Sequence, residues 1–173
     1  MKPSPSNTHL WHLKEAVEAD VPPILEQLAG HMGSKARARF QDKMERYVRK
    51  PDRQLIVAVQ KNMILGLVCV IEKMDPPSGL ECDNPKILQS FAASAQLLVH
   101  PDFRRQGIGK SLHQRSLKWA QSRGCKGHWL VTHRMADWYK KHFNYMFISR
   151  FLTKGTQKIA LMKQFTDDPP ESI

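Results

Sequence analysis

The 173 residues carry 27 Lys and Arg against 16 Asp and Glu, which gives a net charge of +11 at pH 7. The length suits one domain with a sizeable core, and 41% hydrophobic with 25% charged residues is typical of a soluble globular protein. No apolar run approaches the roughly 20 residues of a membrane span, and the N-terminus lacks the apolar segment of a secretory signal. Three scattered cysteines disfavour a disulfide framework or a zinc site. We therefore expect a cytoplasmic protein with no metal and no membrane partner.

The basic charge is spread along the chain instead of forming one stripe. A positive surface attracts polyanions, so nucleic acid, an acidic partner and a phosphate-bearing cofactor are all candidates. Nucleic-acid binding normally requires a clustered basic face, and this distribution disfavours it. A multiply charged cofactor accounts for part of the bias.

The first half of the chain is predicted to place two helices before a β-hairpin. Alternating apolar residues predict strands, whereas apolar residues at i, i+3, i+4 and i+7 predict helices. The predicted elements are a strand over His9–Val17, a helix from Asp20 to Leu28, a helix over Ser34–Arg49, and strands Leu55–Gln60 and Ile64–Glu72. Residues 1–8 are expected to be a flexible tail. The long segment 73–90 is interpreted either as a substrate-facing flap or as a surface loop.

The second half alternates strands with helices and ends in a second hairpin. The predicted elements are a central strand that ends before Pro101, a helix that ends near Gly124, a strand over His128–Thr132, a helix over Met135–His142, and strands Tyr145–Thr153 and Gln157–Phe165. Strand, helix and strand in succession indicate a parallel crossover. Since no repeat or linker divides the chain, we predict one domain over residues 9–165, followed by a flexible tail over 166–173.

The stretch around the end of the central strand predicts an anion site. The apolar run Leu97-Leu98-Val99 reads as a buried strand, and Pro101 cannot continue a ladder. A basic, glycine-containing turn over 104–110 follows and leads into an amphipathic helix. Free N–H groups, the positive end of the helix dipole and cationic side chains converge at this turn, which favours a phosphate ligand.

Two common phosphate motifs fail at this turn, and a third fits. A P-loop would need glycine where Arg104 stands, and a dinucleotide fingerprint would need glycine at Leu112. The pattern Arg104-x-x-Gly107-x-Gly109 instead resembles the [QR]-x-x-G-x-[GA] loop of the GNAT superfamily of N-acetyltransferases. In that family the loop follows a strand ending V-x-P, as Val99-His100-Pro101 does here.

The order of predicted elements also resembles the GNAT fold over residues 9–165. The resemblance implies an α/β (α+β) fold with a mixed, mostly antiparallel sheet of six to seven strands. The sheet is expected to splay between strands 4 and 5 and to be flanked by about four helices.

The resemblance implies that acetyl-CoA is bound as a co-substrate by this loop and by the central strand. Backbone groups of the strand would pair with the pantetheine arm, and a main-chain N–H near Leu98 would polarise the thioester carbonyl. The implied cofactor-binding residues are Leu97, Leu98, Val99, Arg104, Arg105, Gln106, Gly107, Ile108, Gly109, Lys110 and Ser111.

The segment 136–143 resembles the family's A-x-x-[LFW]-Y-x-K-x-G-F pattern, and Tyr139 takes the place of its frequent general acid. A phenol is neutral at pH 7 and can donate a proton to a nascent thiolate. The chain departs from the pattern at two positions. Thr132 stands where an Asn is usual, and His142 replaces the glycine before Phe143.

The general base is the least determined part of the predicted site. The central strand carries Ser94 and Gln96, neither of which is a base. The candidates kept open are Glu72, His133, Glu81 and Asp83. Histidine is the usual residue type for proton transfer near neutral pH, which favours His133 among them. Water-relayed deprotonation, or an amine that arrives neutral, would need no base.

The function predicted from the sequence is direct, ternary-complex transfer of an acetyl group from acetyl-CoA to a primary amine. The acceptor could be a small molecule, a protein N-terminus or a lysine, and a homodimer is left open. One alternative is a non-catalytic acyl-CoA-binding module, which the missing base favours. The other is a basic nucleic-acid-binding protein.

Overall fold

A seven-stranded sheet organises the protein, whose computed structural model describes residues 11–166. The strands are β1 (His12–Glu15), β2 (Arg53–Gln60), β3 (Met63–Ile71), β4 (Phe91–Val99), β5 (Gly127–Thr132), β6 (Met146–Thr153) and β7 (Thr156–Gln164). Their spatial order is β1-β2-β3-β4-β5-β7-β6. Only the contact between β4 and β5 is parallel. Mixed pairing of this kind needs a crossover between β4 and β5, which a helix supplies.

Helices cover both faces of the sheet. They are α1 (Val21–Leu28), α2 (Ser34–Arg49), α3 (Pro85–Leu88), α4 (Ile108–Ser122) and α5 (Ala136–Phe143), and 3₁₀ turns form at Glu18–Asp20 and Pro101–Phe103. Residues of β2 alternate between the faces, so Leu55 and Val57 join the core under α1 and α2 whereas Ile56 packs under α4. The period of two along a strand thus separates two cores.

The apolar stripe of α2 explains its place in the fold. Phe40, Met44 and Tyr47 recur at i, i+4 and i+7, so they lie on one face and are buried against the sheet. The helix has the predicted bounds. Lys35 and Arg39, in its first two turns, are exposed and lie away from this stripe.

The predicted fold class is confirmed, with seven strands, a splay between β4 and β5, and five helices where about four were expected. The central strand begins at Phe91, well before the apolar run that indicated it. The added residues are mostly Ala and Ser, which have no strong strand preference. β1 is shorter than the predicted strand over His9–Val17, and residues 9 and 10 lie outside the described range.

The segment 73–90 is mostly irregular, and part of it packs against the core. It contains α3, and Met74, Leu80 and Cys82 pack against the core under α1 and α2. The predicted tail over residues 1–8 lies outside the described residues, as does all but Thr166 of the predicted tail over 166–173.

The splay arises because β4 and β5 pair over only four residues. Pairing runs from Phe91 with Gly127 to Ser94 with Leu130 and then stops. Beyond Ser94, β4 keeps only its β3 partner, and a register shift at Cys69/Val70 marks a bulge at this point. A bulge bends a strand and increases its twist. The last five residues of β4 are accordingly half-buried, whereas its first four are buried.

Gly127 lets the first pair of this parallel contact form. A Cβ at Gly127 would stand 2.5 Å from the ring of Phe91 and from the carbonyl oxygen of Lys163. We expect Gly127→Ala to lower the free energy of unfolding by about 1–3 kcal/mol, the usual cost of overpacking. Denaturant unfolding would measure it. Gly33→Ala is the control, because a Cβ at Gly33 meets nothing within 4 Å. An equal loss in both variants would contradict the assignment.

Candidate functional site

The basic turn predicted to bind phosphate joins the end of β4 to the start of α4. The chain first makes the 3₁₀ turn Pro101–Phe103. Arg105 and Gly107 then adopt left-handed backbone conformations, with φ of +63° and +80°. These reversals lead directly into the first turn of α4 at Ile108, whose side chain is buried and anchors the turn in the core.

Solvent reaches most of the predicted phosphate-binding residues. The exposed ones are Arg104, Arg105, Gln106, Gly107 and Lys110, whereas Gly109 and Ser111 are half-buried. The first N–H groups of α4 have no partner inside the helix, and the helix dipole is positive at this end. Donors and positive charge therefore converge at one exposed turn, which suits a phosphate group.

Beyond Ser94 the strands β4 and β5 leave an opening between them. The end of β4 forms the wall of this opening beside the basic turn. The N–H of His100 donates to Leu65 O on β3 at 2.8 Å. Because N–H groups alternate in direction along an antiparallel strand, the N–H of Leu98 also points toward β3. The N–H of Leu98 itself therefore faces away from the opening, whereas the N–H groups of its neighbours Leu97 and Val99 face it. The predicted carbonyl-polarising N–H near Leu98 stays a prediction, with these two groups as its candidates.

Arg104 is folded back onto the same wall. Its Nε donates a hydrogen bond to the carbonyl oxygen of Val99 at 3.3 Å. This bond fixes the start of the basic turn against the end of β4. Arg104 thus connects the predicted phosphate site to the strand that lines the opening.

Tyr139 lies on α5 with its ring in the core beside β5. The ring is 7% exposed and contacts the rings of His113 at 5.0 Å and Tyr145 at 5.7 Å between centroids. Burial raises the pKa of Tyr139 to about 12. Its hydroxyl is not among the fully enclosed polar atoms that lack a partner. The group is therefore a neutral phenol whose hydroxyl retains access to solvent, as a proton donor requires.

Beneath Tyr139 lies a buried chain of four polar side chains that the sequence reading missed. Ser94 Oγ is 3.0 Å from His128 Nε2, His128 Nδ1 is 2.6 Å from Tyr145 Oη, and Tyr145 Oη is 3.0 Å from His113 Nε2. All four residues are buried. The chain ties Ser94, the last paired residue of β4, to α4 and to the ring that supports Tyr139. The available sequence signal was His113 beside the apolar stripe of α4.

Burial keeps this chain uncharged. Desolvation lowers the pKa of His113 to about 3 and the pKa of His128 well below its usual range, and the neighbouring His113 lowers the latter further. The same burial raises the pKa of the Tyr145 phenol. Each imidazole then has one donor and one acceptor nitrogen, so the whole chain can be linked by hydrogen bonds without a buried charge.

The structure does not bring Glu72 to the opening. Glu72 follows the end of β3 that pairs with the closed end of the β4–β5 contact, where Ile71 faces Ala93. Its carboxylate forms a short ion pair with Arg123, just past the C-terminal end of α4. The phosphate turn lies at the opposite end of that helix. The placement of Glu72 as a base is therefore wrong on geometry.

The other predicted bases make no direct contact with Tyr139. His133 follows β5 and is exposed, and its Nδ1–H donates to the carbonyl oxygen of Gln157 on β7 at 2.8 Å. Glu81 and Asp83 line a groove of about 330 Å³ beside β6. No hydrogen bond or ring contact among residues 11–166 joins any of them to Tyr139.

A lysine that the sequence reading passed over does reach the opening. Lys43 on α2 donates hydrogen bonds from Nζ to Ala95 O at 3.2 Å and to Gln96 Oε1 at 3.0 Å. Both acceptors are on β4 immediately after its last residue paired with β5. The spacing of Lys43 from Phe40 and Tyr47 could have indicated that it borders the buried stripe of α2.

Neither a metal site nor a membrane-spanning helix is found within the described part of the chain. No group of three or more His, Cys, Asp or Glu among residues 11–166 could hold a metal ion. Over the same residues, no helix has the length and apolar character needed to cross a membrane.

The buried imidazoles make stability depend on pH. An unfolded His binds a proton near pH 6.5, but folded His113 and His128 do not, so acid favours the unfolded chain. We expect the free energy of unfolding to fall by about 1.4 kcal/mol per pH unit for each of the two between pH 6 and 5. His113→Asn should reduce this slope by about half. Denaturant unfolding at several pH values measures it, and an unchanged slope would contradict the buried neutral state.

Comparison with known proteins identifies this architecture. The model of the acetyltransferase (GNAT) family matches residues 23–145. A comparison with curated proteins gave no significant match.

Solved structures share the fold at low sequence identity. NAA60 of Arabidopsis thaliana in complex with acetyl-CoA has a TM-score of 0.68 at 13% identity, covering 89% of this chain and 98% of its own. The ribosomal-protein-S18-alanine N-acetyltransferase of Escherichia coli has a TM-score of 0.65 at 12% identity, covering 94% and 99%. The PaiA N-acetyltransferase of Thermoplasma acidophilum, in complex with coenzyme A, has a TM-score of 0.63 at 13% identity, covering 90% and 99%.

At such identities the solved structures establish the fold alone, and the family assignment comes from the family model. That model spans the basic turn, the parallel pair β4–β5 and Tyr139. The chain belongs to the acetyltransferase (GNAT) family.

Proposed function

We propose that the protein transfers an acetyl group from acetyl-CoA directly to a primary amine in a ternary complex. The observation that carries the proposal is the basic, glycine-containing turn at the start of α4, placed beside an opening between two neighbouring strands. A phosphate-bearing, elongated thioester with amide groups along its arm matches both features. The acceptor is a small molecule or a protein amine.

The chemistry of the opening fits acetyl-CoA. The N–H groups of the first turn of α4, with Arg105 and Lys110, would hold the pyrophosphate. The backbone groups of Leu97 and the N–H of Val99 have no β5 partner and would pair with the amides of the pantetheine arm. A buried or strand-edge polar group needs such a partner, and a ligand can supply it.

The chain's own residues would perform the proton transfer to sulfur. Attack of the amine nitrogen on the thioester carbonyl forms the C–N bond, and the C–S bond then breaks. Tyr139 Oη would give its proton to the leaving thiolate. The raised pKa keeps the phenol protonated until then.

The compartment and the extent of the active domain belong to the same proposal. The three cysteines, Cys69, Cys82 and Cys125, are free thiols. Free thiols suit a reducing compartment, so we assign the protein to the cytoplasm. We also propose that one domain of about the range 9–165 is sufficient for activity.

A non-catalytic acyl-CoA-binding module is the second candidate. The observation that favours it is that Glu72 is ion-paired with Arg123 away from the opening and that β4 itself carries no ionisable side chain. It predicts cofactor binding without turnover, so the binding and turnover measurements below separate it from an enzyme.

Cofactor binding is tested by thermal unfolding with acetyl-CoA, coenzyme A and ATP in parallel. At about 100 times its Kd, a ligand adds about 2.7 kcal/mol of stability, which moves Tm by several degrees. We expect a shift with the first two and none with ATP. Gly109→Val should abolish the shift by blocking close approach to the backbone. Gly109→Ala is the matched control for folding, because its Cβ would stand 3.5 Å from Val99 Cγ2, an ordinary contact.

No shift with any ligand would refute the cofactor assignment, and the salt dependence of nucleic-acid binding would then be measured. A full shift with Gly109→Val would refute the placement of the pyrophosphate alone.

The role of Tyr139 is tested by turnover. Tyr139→Phe should lower kcat by about 10²–10⁴ with little change in acetyl-CoA affinity, since general acid catalysis acts in the transition state. Tyr47→Phe is the control, because Tyr47 is equally buried but lies on the opposite face of the sheet. Equal rates for the two variants would remove Tyr139 from the mechanism.

A further inference from the structure

We propose that Lys43 is the general base that accepts a proton from the acceptor amine. The inference rests on the proposed acetyl transfer and supplies the group that the central strand lacks. It follows from where α2 places the Lys43 amine, from the hydrogen bonds that the amine makes, and from the charges around it.

The position of Lys43 is set by its neighbours on α2. Met44 is 0% exposed, and Phe40 and Tyr47 are also buried, so the helix is held firmly against the sheet. Lys43 lies at the border of this stripe and is half-buried. Its Nζ reaches β4 at Ala95 and Gln96, directly after the pairing between β4 and β5 ends. The amine therefore lines the opening on the face that carries α1 and α2.

This is the face opposite Tyr139. The ring of Tyr139 packs in the core between the sheet, α4 and α5, whereas Cys69 beside Lys43 belongs to the core under α1 and α2. One strand rises about 3.3 Å per residue, so Ala95 lies within about 7 Å along β4 of the free N–H at Leu97. An acceptor nitrogen between them would be within reach of Lys43, directly or through one water.

The hydrogen bonds of Lys43 suit a neutral amine. A neutral amine has two N–H donors and one lone pair. The two oxygens, Ala95 O at 3.2 Å and Gln96 Oε1 at 3.0 Å, take the two donors. The lone pair is then left for a proton from the substrate. Both acceptors are uncharged amide oxygens, which stabilise an ammonium ion less than a carboxylate does.

The charges around Lys43 favour this neutral state. Burial lowers the pKa of the Lys43 amine, Cys69 on β3 acts in the opposite direction, and Arg46 on α2 lowers it again. Burial raises the pKa of the Cys69 thiol to about 12, so this thiol is not an anion at neutral pH. Gln96 on β4 carries no charge. None of the ion pairs formed among residues 11–166 includes Lys43. A buried lysine without a counter-ion is the type that serves as a base.

Lys43 and Tyr139, on opposite sides of the substrate, together account for every proton in the reaction. The acceptor ammonium gives one proton to Lys43 Nζ and becomes a nucleophile, and Lys43 later releases that proton to solvent. The nitrogen attacks the thioester carbonyl and loses a second proton as the C–S bond breaks. Tyr139 gives its proton to the sulfur and regains one from the nitrogen. The net products are the amide, coenzyme A thiol and one proton.

Two substitutions separate a base from a positive charge. Lys43→Met removes both functions, whereas Lys43→Arg keeps charge and donors but cannot deprotonate. With an alkylamine acceptor at pH 7, we expect both variants to lose about 10²–10⁴-fold in kcat/KM. Lys35→Met is the matched control, an exposed lysine of the same helix, and should retain the wild-type rate. Activity retained by Lys43→Arg would overturn the proposal.

An acceptor that is already neutral at pH 7 distinguishes a base from a structural residue. A weakly basic amine needs no deprotonation, so Lys43→Met should transfer to it at close to the wild-type rate. An equal loss with both acceptors would overturn the proposal, since damage to the fold would not depend on the basicity of the acceptor. If wild-type protein acetylates neither acceptor, acetyl transfer itself fails.

A measurement independent of activity completes the test. Reductive methylation with ¹³C-formaldehyde labels lysines, and the signal absent from Lys43→Arg identifies Lys43 in the NMR spectrum. We expect its titration below that of the exposed lysines in the same spectrum. Titration together with the exposed lysines would overturn the proposal whatever the enzyme assays show.

Discussion

The loss of pairing between β4 and β5 after Ser94 is the constraint on which the rest of the structure depends. A parallel contact that stops within a sheet leaves backbone donors and acceptors with no strand partner. The bulge at Cys69/Val70 and the short overlap of the two strands maintain this gap. The basic turn at the start of α4 closes one end of it. This unpaired edge is the surface at which we propose that acetyl-CoA binds.

Desolvation is the common physical cause of the pKa shifts on both sides of the gap between β4 and β5. On one face it raises the pKa of Tyr139 and lowers that of the imidazoles beneath it. On the other face it lowers the pKa of Lys43. Burial favours the uncharged form of every group, so a phenol keeps its proton and an amine binds one less readily. This single effect supports the proposed roles of Tyr139 as acid and Lys43 as base.

Patterns of neighbouring residues predicted more of this site than expectations about contacts between distant residues did. The turn from Arg104 to Lys110 and the bounds of α2 follow from residues close together in sequence, and the structure contains both elements. The choice among the N–H groups near Leu98 could not be made from sequence, because it depends on the register between β3 and β4. Glu72 failed because the side chain that engages it, on Arg123, lies 51 residues away.

The sequence by itself determined the family fold, the basic turn before α4 and the place of Tyr139 on α5. Each depends on a run of neighbouring residues whose spacing has a direct physical meaning. Only the tertiary structure decided which side chains meet across the opening. Lys43 reaches Gln96 over 53 residues, and Ser94 reaches His128 over 34. Such contacts depend on how helices seat on a twisted sheet, and no local periodicity encodes that seating. The elements come from the sequence, whereas the proposed acid–base partners come from their packing.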